Sequence, residues 1–201
     1  ETRARRLKDA AVFAGDLDSQ TRASRAVAQG KLDKAREKIV LNLGSLWMET
    51  AEKELAALAE DAEIAALPEF TKLKDELMVF LAMQDAVCDE FSKQMGRSLT
   101  LKIEGKLREV KVLEVKVRRI TFRVDAGDGK FNERTLFIKD LAPEDLLTRL
   151  RTTAPEASGA AWRGLLLSMA GKPEQAATYF DRSKLELCRE LQEHFRKHPA
   201  K

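Results

Sequence analysis

A chain of 201 residues, 44% hydrophobic and 34% charged, is long enough to bury a core and too apolar for wholesale disorder. Its formal net charge of +3 excludes a global field that would draw in nucleic acid or a membrane surface. No apolar run reaches the roughly 18 residues a membrane-spanning helix needs, and no secretory apolar region is present.

Residues 2–14 are predicted to form a helix that Gly15 stops. Asp16 or Asp18 caps a second, which ends at Gly30. A longer helix begins near Leu32, with Ala35, Ile39, Leu43, Leu46 and Trp47 at helical spacing. Gly44 costs that helix about 1 kcal/mol relative to alanine and would loosen or break it. From Thr50 the pattern resumes through Ala51, Leu55, Leu58, Ala62 and Ala65. It ends near Ala66, because the residue before Pro68 is pushed out of helical geometry. The next stripe, Phe70, Leu73, Leu77, Phe80, Gln84, Val87 and Phe91, alternates spacings of three and four. Two such stripes joined at a proline predict an antiparallel helix hairpin, with a coiled coil to another chain as the alternative.

At Gly96 the period drops to two. Leu99, Leu101 and Ile103 alternate with polar residues, and Glu104-Gly105-Lys106 reads as a turn. Val110 and Val112 keep one phase while Leu113, Val115 and Val117 keep the other, which requires a bulge or sharp bend near Val112–Leu113. A turn at Arg118–Arg119 leads into Ile120, Phe122 and Val124. The loop from Asp125 to Gly129 precedes a last strand with Thr135, Phe137 and Leu141. Four or five short antiparallel strands predict a small bent sheet or an SH3-like barrel. Pro143 then opens a helix with Leu146, Leu147 and Leu150 on its apolar face, and Pro155 interrupts. Further helices run from about Ala157 to Gly171, from Pro173, and from about Ser183 through Phe195. The expected class is α+β, mainly α. Helical hairpins occupy 1–96, the antiparallel β-unit 97–141, and further helical hairpins 142–201.

Three segments place a glycine between helix-like stretches: Ala14 to Asp18, Gln29 to Asp33 and Ala170 to Glu174. In the last, Ala161-Trp162-Arg163-Gly164-Leu165 precedes Gly171, and Ala176, Ala177, Tyr179 and Phe180 follow it. This stretch, about residues 160–182, resembles a tetratricopeptide helical hairpin, which puts a small residue in the first helix, glycine at the turn, and alanine then an aromatic in the second. The resemblance covers a small part of the chain and no 34-residue period runs through it. Small strand-rich units beside such hairpins look like uncharacterised modules of large multidomain bacterial proteins. The resemblance implies protein-interaction or scaffold work, with no catalytic residues to carry over.

The residues themselves offer little chemistry. Histidine is the commonest general acid–base, and the chain has two, His194 and His198, four apart near its end with Glu190 on the same face. They read as a solvated tail rather than a metal site. Glu60-Asp61 with Glu63, and Asp89-Glu90, read as solvated helix faces. Gly127-Asp128-Gly129-Lys130 lacks the spacing of a phosphate-binding loop and reads as a hairpin. Cys88 and Cys188 read as small buried residues, and Trp47 and Trp162 as core or interface packing. No catalytic constellation, cofactor or metal site is expected. Residues 97–140 carry 12 Lys or Arg against 7 Asp or Glu, an excess of five, which leaves the rest of the +3 chain at −2.

The expected function is therefore a non-catalytic protein-interaction or scaffold module. The partner would be another protein or a neighbouring domain of the same full-length chain, with no small-molecule substrate. The candidate surface combines the basic residues Lys111, Lys116, Arg118, Arg119 and Arg123 with the hairpin residues Trp162, Tyr179 and Phe180. The alternative is nucleic-acid binding through the basic β-unit. The first residue, Glu1, points to a processed form or a fragment of a larger protein. The scarce cysteines favour the cytoplasm, with the periplasm as the alternative if a signal or membrane span was removed.

Overall fold

The computed structural model of the protein describes residues 2–127, 130–150 and 156–199, with side chains over 19–125, 131–150 and 158–199. It is mainly helical with one small antiparallel sheet, as the sequence predicts.

Helix α1 (Thr2–Gly44) is continuous, so Gly15 and Gly30 lie inside it rather than ending helices. An interior glycine costs about 0.5–1 kcal/mol, which is less than burying even one leucine returns, about 1.5–3 kcal/mol. The apolar stripe Ala28, Leu32, Ala35, Ile39 and Leu43 is wholly buried. The helix stops instead at Gly44, where Leu46 turns the chain at φ 54° and the Trp47 N–H donates to Asn42 O at 2.8 Å.

The stripe expected from Thr50 to Ala65 is divided into α2 (Met48–Ala59) and α3 (Ala62–Ala65). Asp61 makes the division by accepting from the Glu63 and Ile64 N–H groups as an N-cap. Pro68 opens α4 (Pro68–Ser92), where the missing N–H costs nothing. All seven seam residues from Phe70 to Phe91 are buried, the polar Gln84 among them.

Strands β1 (Ser98–Ile103), β2 (Lys106–Lys116), β3 (Arg119–Gly127) and β4 (Lys130–Phe137) form an antiparallel meander in sequence order. The register slips between Val112 and Glu114, so Leu113 is the bulge that the phase change requires. Of the two β-architectures expected, the open sheet is the one formed: among the described residues β1 and β4 do not pair, so no barrel closes. Leu141 does not extend β4. A single 3-10 turn (Ile138–Asp140) intervenes, and the Phe137 N–H donates to Asp140 Oδ2 at 3.1 Å. The inner face of the sheet, including Leu101, Val110, Val112, Ile120 and Phe122, is buried. It docks on α4 through an edge-to-face contact of Phe91 and Phe122 at 5.6 Å.

Helix α5 (Pro143–Arg149) is tied to β1 by the Lys102 N–H, which donates to Asp145 Oδ2 at 2.7 Å. Pro155 lies outside the described residues. Helices α6 (Glu156–Met169) and α7 (Pro173–Ser183) pack as a pair across a turn at Gly171, whose φ of 70° suits glycine. Gly164 faces the Phe180 ring so closely that a Cβ there would lie 2.5 Å from it. Helix α8 (Glu186–Lys197) starts three residues later than the expected Ser183, because Ser183 closes α7 and Lys184 takes a left-handed φ of 59°.

No side chain in its own first turn caps α8. The buried Glu76 of α4 does so instead: the Glu186 N–H donates to its Oε1 at 3.0 Å and the Leu187 N–H to its Oε2 at 2.8 Å. Arg36 of α1 then pairs with Glu186 at 2.8 Å and Glu190 at 2.6 Å, and Lys72 of α4 with Glu186 at 2.7 Å. The Lys72 ammonium, then Arg36, holds the Glu186 carboxyl below its ordinary range. The buried apolar cluster runs without a break through all three regions separated in the sequence. No described helix is long and apolar enough to cross a membrane.

Glu76→Ala leaves two N–H groups and no carboxylate at the α8 start, and should lower stability by about 2–3 kcal/mol in urea unfolding. A loss under about 0.5 kcal/mol, the scale of an ordinary surface change, would show that the cap contributes nothing. Gly164→Ala forces Phe180 aside and should cost about 1–3 kcal/mol by the same measurement.

Candidate functional site

The residues expected to form the interaction surface separate in the structure. Trp162 is buried and its indole Nε1–H donates to Val79 O at 2.7 Å, which fastens α6 to α4. Phe180 is buried against Gly164. Neither offers a surface to a partner, because the α6–α7 pair turns both into the core. Tyr179 is half-buried, with the guanidiniums of Arg163 and Arg182 5.9 and 5.7 Å from its ring.

The five basic residues stay at the surface but are not one free patch. Lys116 pairs with Glu114 at 2.7 Å and Arg123 with Glu133 at 3.9 Å. Arg118 reaches across to α2, pairing with Glu52 at 2.7 Å and Glu49 at 3.9 Å. Lys111 and Arg119 are exposed and make no ion pair among the described residues. Register places Lys111 opposite Arg123 and Lys116 opposite Arg119, two like-charged cross-strand pairs.

The histidines meet where α8 returns to the end of α1. Their rings are 5.1 Å apart, and His194 lies against Gly44, close enough that a Cβ there would sit 3.0 Å from the ring. Burial, with His198 adding to it, lowers the His194 pKa from 6.5. Among the described residues, no three His, Cys, Asp or Glu side chains are placed to hold a metal ion. Cys188 is buried, with its thiol pushed up to about 12 by desolvation, whereas Cys88 is half-buried, 3.6 Å from Lys116 O.

One cleft that the sequence does not assemble brings aromatic, polar and basic side chains together. A cleft of about 210 Å³ opens where the α1–α2 turn, α4 and the end of β4 meet. Leu46, Trp47 and Met48 supply one wall, Gln84 of α4 lines it, Arg118 comes from the β2–β3 turn, and Phe137, Ile138 and Lys139 supply the far wall. Trp47 is 52% exposed and Phe137 47%, so neither is a core residue. The Lys139 ammonium lies 4.3 Å from the Trp47 ring centre and 5.8 Å from that of Phe137. Two of the cleft residues, Leu46 at φ 54° and Arg118 at φ 63°, hold left-handed backbone without being glycine. That costs roughly 1–2 kcal/mol each, and such strain gathers at functional positions. Gln84 is 6% exposed and its Oε1 has no hydrogen-bond partner among the described residues. A polar residue in an otherwise apolar seam was the sequence signal for this site; nothing in sequence joins it to Trp47 and Phe137.

No protein-family model matches the chain, and neither does any curated protein or solved structure.

Two measurements follow. Trp162→Ala should cost about 3–5 kcal/mol, whereas Trp47→Ala should change stability by about 0.5 kcal/mol or less; equal losses would contradict the burial difference. For His194, a folded pKa below 6.5 means that the unfolded chain binds the proton first as pH falls. Its contribution is therefore complete above about 6.5, declines below it, and levels off below the folded pKa. Glu190, raised mainly by burial, acts in the opposite sense at lower pH. The His194 share is thus the part of the wild-type thermal-midpoint slope that disappears in His194→Gln; identical slopes in the two proteins would refute it.

Proposed function

We propose that the protein is a non-catalytic protein-interaction or scaffold module whose contact centre is the Trp47–Phe137 cleft. The observation that carries this reading is the pair of half-exposed aromatics at the cleft, beside Arg118. Tryptophan and arginine dominate binding energy at protein interfaces, especially where they line a pocket. The resemblance of residues 160–182 to a tetratricopeptide hairpin supports the same class of function. The partner is another protein, or a neighbouring domain of a longer chain that contains this one.

A cross-linking residue placed at Glu49, on the cleft rim, is the direct test in the source cell. A specific protein adduct that is lost in both Trp47→Ala and Phe137→Ala is the expected result. Adducts that persist unchanged in both variants would remove the cleft from the reading.

One observation favours nucleic-acid binding as a second reading. Lys111 and Arg119 are exposed without an ion pair among the described residues, each opposite a further basic residue on the neighbouring strand, where phosphates would find cations. Anisotropy titration with single- and double-stranded oligonucleotides at two salt concentrations separates the readings. Steeply salt-dependent binding supports the second, and no binding at low salt eliminates it.

A further inference from the structure

We propose that the open edge of β4 pairs antiparallel with β4 of a second copy of this chain, joining two sheets into one about a twofold axis at Arg134. This rests on the interaction reading above and deepens it by naming the partner.

The two edges of the sheet differ. β1 is covered, because its Lys102 N–H donates to Asp145 of α5. β4 is not: every side chain from Phe131 to Thr135 is exposed, and that stretch carries neither a proline nor a register shift. The Ile138 N–H turns to Arg118 O at the β3 side, and the Phe137 N–H turns the other way, to Asp140 Oδ2. Alternation along the strand therefore points the N–H and C=O groups of Phe131, Glu133 and Thr135 outward. Such a row is a template for another strand.

The side chains select which strand. Register with β3 sets Asn132, Arg134 and Leu136 opposite the buried Val124, Phe122 and Ile120, so Phe131, Glu133, Thr135 and Phe137 stand on the outer face. Among the described residues, the exposed aromatic side chains are Phe131 at 60%, Phe137 and Trp47, and the Lys139 ammonium lies over both Trp47 and Phe137. The rings left in water thus gather on or beside this one edge.

Residues directly opposed across a seam share a face, so a twofold axis normal to the sheet must pass through a residue position. At Arg134 it sets Phe131 of each copy against Phe137 of the other, and Glu133 against Thr135. Both ends of the seam then close on an aromatic pair. At Glu133 it would set carboxylate against carboxylate and Phe131 against Thr135. Any further shift shortens the seam. The two Arg134 side chains that meet at the axis are each neutralised by their own Glu104 at 2.6 Å. The strand is therefore complementary to itself, as a twofold contact requires.

Sedimentation velocity of the full chain over a dilution series should show a monomer–dimer equilibrium. Glu133→Pro removes an outward N–H, leaves the β3 ladder intact, and should weaken dimerisation about tenfold or more. Phe131→Ser alters only an exposed side chain and should weaken it without loss of the fold. Disulfides read the register. Arg134 would face its own copy at a non-hydrogen-bonded position, with Cα atoms about 4.5 Å apart, within disulfide reach. Under mild oxidation Arg134→Cys should therefore form a covalent dimer above the wild-type background, whereas Glu133→Cys, at a more exposed position facing Thr135, should not. A monomer at every concentration, a dimer that Glu133→Pro and Phe131→Ser leave intact, or equal cross-linking of the two cysteine variants would each overturn the pairing. A monomeric chain that still forms the cleft-dependent adducts at Glu49 would refute the pairing and leave the interaction reading standing. A β4 dimer with no cleft-dependent adduct would do the reverse.

Discussion

The carboxylate of Glu76 sits in the core with both oxygens occupied by backbone N–H groups of a helix start 110 and 111 residues further on. A buried charge is costly unless polar partners meet it. The first N–H groups of a helix are the partners such a carboxylate needs: they have no acceptor within their own helix, and the helix dipole is positive at that end. Each side therefore supplies what the other lacks. α8 has no cap of its own, and Glu76 has no cation within ion-pair reach among the described residues. The contact fixes where α8 begins and sets its position against α4. Arg36 can then bridge to Glu186 and Glu190, which draws α1 into the same junction.

Helix α4 becomes the wall that the other elements share. One part of its surface holds α8 through Glu76, and Val79 O receives the Trp162 indole from α6. Near its end, Phe91 meets Phe122 of the sheet on one side and lies 4.7 Å from the Arg149 guanidinium of α5 on another. Burial lowers the pKa of that guanidinium, although the nearby Asp145 and Glu90 oppose the shift. A single core results, and a small sheet that could not bury its inner face alone is stabilised by packing on a helix.

The cleft at Trp47 is a product of this arrangement. The α1–α2 turn and the β2–β3 turn both line it, and neither is relaxed: Leu46 in the first and Arg118 in the second carry left-handed backbone. Arg118 keeps its place through Glu49 and Glu52 on α2, a contact between the β-unit and the N-terminal helices. Between these supports Trp47 and Phe137 are left half out of the core, and Gln84 Oε1 is left in the seam without a hydrogen-bond partner among the described residues. The site depends on how four separate stretches of chain meet, so no one of them carries its signature.

Periodicity and backbone chemistry decided the local structure. The seam from Phe70 to Phe91, the proline at the start of α4, the period-two strands and the bulge at Leu113 all follow from rules that act over a few residues, and the chain obeys them. Tertiary contacts decided whatever depends on residues far apart. Gly15 and Gly30 stay within α1 while Gly44 ends it, because glycine permits a stop without imposing one and packing chooses between candidates. Trp47 and Trp162 are the same residue in similar helical patterns, yet one is exposed and the other buried. Phe180 is turned inward by a glycine on the facing helix, and Glu76 is buried by a helix start that lies beyond the sheet in sequence. Burial of a side chain is set by which element covers it, and a local pattern specifies that a face will be covered without specifying by what.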